Sequence, residues 1–84
     1  MRRASFTLDD LQSIARKVIG DPSITLRPEF VATDVPGWDS LNHTLIIMEI
    51  CDLWKIALPP NRAARARNFE HLIRMVTNQL NRIQ

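Results

Sequence analysis

Residues 40–54 read SLNHTLIIMEICDLW and predict a helix that begins at Asp39 or Ser40 and ends near Trp54. At roughly 100° per residue, this helix carries two apolar faces on nearly opposite sides. The face expected in the core comprises Ile46, Ile50, Leu53 and Trp54, with Ile47 at its edge. The opposite face is a stripe formed by Leu41, Leu45 and Met48, and Asp52 continues it.

The second stripe has two interpretations, because a helix that packs on one core needs only one apolar face. Either neighbours cover the helix on both sides, or the stripe docks a partner. Asp52 favours exposure of the stripe, since a charge is rarely buried without a partner. Met48 fits the same interpretation, because methionine is common at adaptable binding surfaces.

A first helix is predicted from about Leu8 to Ile19, where apolar residues recur at helical spacing. Thr7 and Asp10 have the spacing of a capping box, with aspartate in place of glutamate. Gly20, followed by Asp-Pro, ends this helix.

A last helix is predicted from Phe69 to about Asn81, with Asn68 as its N-cap. Its apolar stripe comprises Phe69, Leu72, Ile73, Val76, Leu80 and Ile83. The segment 61–67 is expected to hold a short helical turn after Pro59-Pro60.

Residues 21–39 predict a long loop, because three prolines and a glycine interrupt them and no period is sustained. Their apolar side chains should pin the loop onto the core, with one helical turn near Pro28–Val31. No segment predicts a strand. The expected fold class is therefore all-α, a small three-to-four-helix bundle with a long loop between helices 1 and 2.

The length of 84 residues fits one small domain, residues 1–84, with a core at about 7–82. A single cysteine, Cys51, is expected to be an inert, partly buried apolar residue. No apolar run approaches the roughly 20 residues of a membrane span, and no apolar segment follows Met1-Arg2-Arg3 as in a signal peptide. We therefore expect a cytoplasmic protein with no membrane span and no bound metal.

The formal net charge is +2, and the positive charge concentrates in the second half of the chain. Residues 40–84 carry six Lys or Arg against three Asp or Glu. Arg62, Arg65 and Arg67 form the densest group. They predict either a solvated polar face or a patch that meets an acidic partner or a phosphate backbone.

Ser40 lies at the predicted start of the second helix, after a Pro-Gly-Trp-Asp turn. A helix start presents unpaired N–H groups and the positive end of the helix dipole, so an anion is stabilised there. A serine in this place is well suited to carry a phosphoester. The alternative is that Ser40 or Asp39 only caps the helix.

The run from Asp34 to Leu41, DVPGWDSL, resembles the attachment site of acyl carrier proteins and peptidyl carrier domains. That family has an Asp-Ser-Leu triplet at the start of its second helix. Residues 53–59, LWKIALP, are similar to the end of the same helix in the family. The resemblance also covers chain length, helix order and the long first loop, from Leu8 to Leu80.

The resemblance implies that Ser40 bears a 4′-phosphopantetheine group as a phosphodiester, with Asp39 helping a separate phosphopantetheinyl transferase to position the serine. The arm would hold acyl or aminoacyl cargo as a thioester. The protein itself would be no enzyme. Its further partners would be a loading ligase and downstream transferases, in fatty acid, polyketide or nonribosomal peptide biosynthesis.

The resemblance also implies a partner-docking side of the second helix. The expected docking residues are Leu41, Thr44, Leu45, Met48 and Asp52, together with the arginines Arg62, Arg65 and Arg67. The helix departs from the acidic carriers of the fatty acid cycle, since it keeps only Glu49 and Asp52 as carboxylates. We therefore expect a dedicated, monomeric carrier of a specialised pathway.

Cargo could enter a space lined by Ile46, Ile50, Leu53 and Leu72, although a packed core is the simpler expectation.

Two alternatives stay open. A small basic helical nucleic-acid-binding domain would use the face of the last helix that carries His71, Arg74, Asn78 and Arg82. Against it, the net charge is small and no clear helix-turn-helix spacing appears. A carrier-like adaptor would have the same fold and stay unmodified.

We expect no catalytic triad from Asp39, Ser40 and His43, and we expect His43 to pack against Trp38.

Overall fold

The computed structural model describes residues 5–82, which form four α-helices and one short 3₁₀ helix. The helices are α1 (Leu8–Ile19), α2 (Ser40–Trp54), α3 (Pro60–Ala63) and α4 (Phe69–Arg82), and the 3₁₀ helix is Ala32–Asp34. No strand occurs between residues 5 and 82. The prediction of an all-α bundle is confirmed; Ile83 and the basic residues at 2 and 3 lie outside the described residues.

Helix α1 begins and ends at the predicted signals. The Thr7 hydroxyl accepts a hydrogen bond from the backbone N–H of Asp10, and the Asp10 carboxylate accepts one from the Thr7 N–H. This capping box satisfies N–H groups that have no partner within the helix. Gly20 ends α1 in the left-handed conformation with φ of 82°.

The loop between α1 and α2 is fixed to α1 by two side-chain hydrogen bonds. The Nε of Arg16 donates to the carbonyl of Ile24 at 2.7 Å, and Gln12 accepts from the N–H of Leu26 at 2.8 Å. Ile24 and Leu26 are themselves buried. Nearer the loop start, the hydroxyl and backbone N–H of Ser23 lower the pKa of the Asp21 carboxyl by hydrogen bonding to it. The expectation of a pinned loop is confirmed.

The helical turn in this loop lies later than predicted. Residues 28–29 form a simple turn, and the helical geometry falls at Ala32–Asp34. The cause is Asp34, whose carboxylate accepts a hydrogen bond from the N–H of Val31 at 2.9 Å and closes the turn there.

The same loop caps α4. The carbonyls of Phe30 and Pro28 accept hydrogen bonds from the N–H groups of Phe69 and Glu70, at 3.0 and 2.9 Å. Asn68 accepts the next one through its side chain, as predicted for an N-cap. The first turn of α4 is therefore satisfied partly by a segment far away in sequence and partly by its own N-cap.

Helix α2 lies at the centre of the domain, packed against both α1 and α3. Its buried side chains are Ile46, Ile47 and Ile50. Two predictions on this face are wrong: Ile47 is fully buried rather than marginal, and Leu53 is 56 % exposed. The apolar arc centres between Ile46 and Ile47, which leaves Leu53 at its margin in the last turn. Trp54 is half-buried, with its ring edge-to-face against Phe6 at 4.8 Å.

We expect Gly37→Ala to destabilise the domain more than Gly20→Ala. Both glycines have positive φ, 89° and 82°, so each substitution costs about 1 kcal/mol in backbone strain. At Gly37 the new Cβ would also lie 2.7 Å from Cγ2 of Ile19, whereas nothing lies within 4 Å at Gly20. Urea unfolding measures both changes, and equal losses would contradict the steric part of this prediction.

Candidate functional site

The start of α2 is capped by Asp39 and not by Ser40. Oδ1 of Asp39 accepts a hydrogen bond from the N–H of Asn42 at 2.8 Å, and the Asp39 backbone is extended. The side chain of Asn42 donates in turn to the carbonyl of Gly37 at 2.8 Å. Of the two cap candidates that the sequence offered, the structure selects Asp39. Ser40 becomes the first residue of the helix.

Ser40 is exposed, and its hydroxyl makes no hydrogen bond within residues 5–82. Only its carbonyl is used locally, accepting from the Thr44 hydroxyl at 3.1 Å. The hydroxyl therefore has no structural task at the helix start. Because the helix dipole is positive at this end, a phosphoester on the Ser40 oxygen would lie in a favourable field.

Trp38 anchors the chain two residues before Ser40. Its indole is 7 % exposed and stacks against Phe69 of α4, with ring centroids 4.7 Å apart. Its Nε1 donates a hydrogen bond to Nδ1 of His43 at 3.4 Å. The predicted packing of His43 against Trp38 is confirmed, and the end of the long loop is thereby tied to α2 and α4 together.

His43 connects three parts of the domain through both of its ring nitrogens. Because the indole N–H can only donate, Nδ1 of His43 is the acceptor, and Nε2 donates to the carbonyl of Pro60 at 3.1 Å. The carboxylate of Asp39 is meanwhile engaged with Asn42. Neither group is turned towards Ser40, so the three side chains do not form a catalytic triad.

A cavity of about 650 Å³ opens beside Ser40. Ser40, Thr44 and His43 of α2 border it together with Asn61 and Ala64. Its walls are mainly apolar, formed by Trp38, Phe69, Leu72, Val31 and the alanines Ala32, Ala63 and Ala66.

The cavity differs from the space that the sequence suggested. Of the four predicted lining residues, only Leu72 is present; Ile46 and Ile50 are fully buried in the core, and Leu53 is exposed. The space exists because the residues just after Pro60 that line it are mainly alanines, whose side chains are too small to fill it. These small residues were the sequence signal from which the cavity could have been predicted.

Most of the predicted docking residues lie on the surface. Leu41 is 67 % exposed, Met48 57 % and Leu45 41 %, while Thr44 is half-buried and Asp52 exposed. Arg62, Arg65 and Arg67 are exposed as well. Because Leu41, Leu45 and Met48 are this exposed, neighbours within the domain do not cover both apolar faces of α2. That interpretation of the second stripe is excluded.

Helix α3 runs beside this surface. Asn61 and Ala64 share the large cavity with Ser40 and Thr44. A smaller groove of about 340 Å³ lies between Met48 and Asp52 on α2 and the segment at Leu58 and Pro60. Residues 60–65 therefore lie beside the side of α2 that carries Ser40, Thr44 and Met48.

The exposed face of α4 is partly engaged in local contacts. Arg74 lies 3.7 Å from the carboxylate of Glu70, and Nδ1 of His71 accepts a hydrogen bond from the N–H of Arg67 at 3.1 Å. These contacts occupy two of the four side chains expected in a nucleic-acid-binding face. Cys51 is half-buried, with its Sγ 3.5 Å from the carbonyl of Leu58.

Comparisons with known proteins identify no relative: no family model, no curated protein and no solved structure matches the chain. Within the part of the chain that the structure describes, no helix combines the length and apolar character of a membrane span. The same residues contain no group of three or more His, Cys, Asp or Glu side chains arranged to hold a metal.

We expect His43→Ala to reduce the free energy of unfolding by about 1–3 kcal/mol, because it removes partners from the Trp38 indole and the Pro60 carbonyl at once. Thr44→Ala is the matched control on the next residue and should stay within about 0.5 kcal/mol of the parent. Thermal or urea unfolding measures both. A His43→Ala effect no larger than the control would show that His43 does not hold the loop.

Proposed function

We propose that the protein is an acyl or aminoacyl carrier whose Ser40 bears a 4′-phosphopantetheine arm. The observation that carries this proposal is the free, exposed hydroxyl of Ser40 at a helix start that Asp39 already caps. A hydroxyl with no structural partner, in a field that favours an anion, is what a phosphodiester attachment requires. The likeness of residues 34–41 to the carrier attachment site supports the same assignment.

The attachment step is simple for the carrier. A phosphopantetheinyl transferase would direct the Ser40 oxygen onto the pantetheine-bearing phosphorus of coenzyme A. One P–O bond forms to Ser40, one breaks to release adenosine 3′,5′-bisphosphate, and the serine proton passes to a base of the transferase. The bound arm supplies a thiol that holds cargo as a thioester, so the chain itself needs no catalytic residues.

The site also suits the later steps of a carrier. The mainly apolar cavity borders Ser40 and offers a place for an apolar cargo attached through the arm. The exposed stripe of α2 offers a surface for a loading ligase and for downstream transferases. We further propose that the carrier is monomeric and cytoplasmic and that it serves a specialised fatty acid, polyketide or nonribosomal peptide pathway.

Incubation with coenzyme A, magnesium and a promiscuous phosphopantetheinyl transferase should add one phosphopantetheine moiety to the protein. Intact mass spectrometry measures the gain. Ser40→Ala should show none, because it removes the attacking oxygen. Ser13→Ala, at an exposed serine of α1, is the matched control and should be modified like the parent.

An unmodified parent that circular dichroism shows to be folded would contradict the carrier assignment. The exposed apolar stripe would then favour the other candidate, an adaptor with the same fold that stays unmodified.

Asp39 should have two separable roles, which Asp39→Asn and Asp39→Ala distinguish. Asparagine keeps the cap, so its stability should match the parent, whereas alanine should cost about 1 kcal/mol. Both variants lose the carboxylate that we expect the transferase to use, and both should be modified about tenfold more slowly or worse. If Asp39→Asn reacts at the parent rate, Asp39 serves only the helix.

A further inference from the structure

The positive charge of the domain is concentrated in one segment after α2. Residues 55–67 contain Lys55, Arg62, Arg65 and Arg67 and no carboxylate. All four side chains are exposed, and none forms an ion pair or hydrogen bond within residues 5–82. Four like charges along a short segment repel one another, so this segment gains nothing from them within the domain itself.

Three carboxylates elsewhere in the domain are already engaged and do not compensate this charge. Glu49 is paired with Lys17 at 2.6 Å, and Glu70 with Arg74 at 3.7 Å. Asp39 caps α2. The cations of residues 62–67 are therefore available to an external anion.

The segment that carries these cations packs against α2 on the side of Ser40, Thr44 and Met48. Asn61 and Ala64, which border the cavity together with Ser40 and Thr44, are each followed directly by an arginine, Arg62 and Arg65. One surface therefore combines an apolar centre with a cationic border. Asp52 stands at the far end of the stripe, about 18 Å along α2 from Ser40, and borders the groove at Leu58 and Pro60.

We propose that the stripe Leu41, Leu45 and Met48, together with Arg62, Arg65 and Arg67, forms one docking surface for an acidic protein. The partner would present an apolar ridge flanked by carboxylates. If the proposed function is right, this partner is an enzyme that acts on the group carried by Ser40; that part of the inference rests on the proposed function. The docking itself does not.

A protein fits this surface better than a nucleic acid does. Leucine and methionine exposed by 41–67 % gain by burial against apolar side chains, and a phosphate backbone offers none. Carboxylates opposite the arginines would mainly speed association and select the partner by charge. Nucleic acid binding instead draws nearly all of its non-specific affinity from phosphate contacts.

The test uses the unmodified full chain and helical peptides of about 18 residues, long enough to form an isolated helix. One peptide carries a leucine stripe flanked by glutamate, and a second carries the same stripe flanked by lysine. Amide chemical shifts measured during titration report both the affinity and the residues involved. We expect the glutamate peptide to bind, with shifts concentrated in residues 40–48 and 60–67, and the lysine peptide to bind at least about tenfold more weakly.

Charge and apolar variants separate the two halves of the surface. Arg62→Glu combined with Arg65→Glu should weaken the glutamate peptide about tenfold and strengthen the lysine peptide. Leu41→Gln combined with Met48→Gln should weaken both peptides. Arg82→Glu is the matched control, about 20 Å along α4 from Phe69, and should leave both affinities unchanged.

The outcomes decide between this proposal and its rivals. Failure of the glutamate peptide to bind, equal binding of both peptides, or an equal effect of Arg82→Glu would overturn it. So would tight binding of a duplex DNA with a steep salt dependence that the arginine variants abolish. Because the titration uses the unmodified chain and intact mass reads attachment at Ser40 separately, failed docking and failed attachment remain distinguishable.

Discussion

The position of the candidate site depends on Trp38, which packs against Phe69 and is hydrogen-bonded to His43. The loop from residue 20 to residue 39 has little regular structure of its own, so its end depends on side-chain contacts as well as on local turns. Trp38 provides this by stacking on Phe69 and by donating to His43. Asp39 and Ser40 follow directly, and Asp39 then caps α2. A loose indole would leave the start of the helix, and the serine on it, without a fixed place relative to α3 and α4.

Helix α2 has to serve the core and the surface at once. Its three buried isoleucines occupy the centre of the domain, while the opposite side exposes leucine and methionine. A chain of this length buries only roughly 60–65 % of its unfolded surface. Leaving three large apolar side chains exposed therefore gives up hydrophobic stabilisation that a small core needs. No contact within the domain accounts for that exposure. The docking partner proposed above would cover the stripe and so account for it.

The helices and their ends follow from local sequence, whereas the site depends on contacts between distant segments. Thr7 with Asp10, and Asn68 before α4, act on backbone groups three residues away, so spacing alone predicts them. The burial of Ile47 and the exposure of Leu53 depend instead on which neighbours pack against α2. The cavity lies between the long loop, α2, α3 and α4, and no periodicity within one segment could predict it.

The anchor of the loop and the wall of the cavity are built from the same side chains. Trp38, His43 and Phe69 fix the start of α2, and all three line the space beside Ser40. A group that enters the cavity therefore contacts the residues that position Ser40, and it does so without touching the fully buried isoleucines of the core. The exposed stripe Leu41, Leu45 and Met48 does not line the cavity. Under the two proposals above, a group in the cavity and a partner on the stripe would contact different side chains of α2.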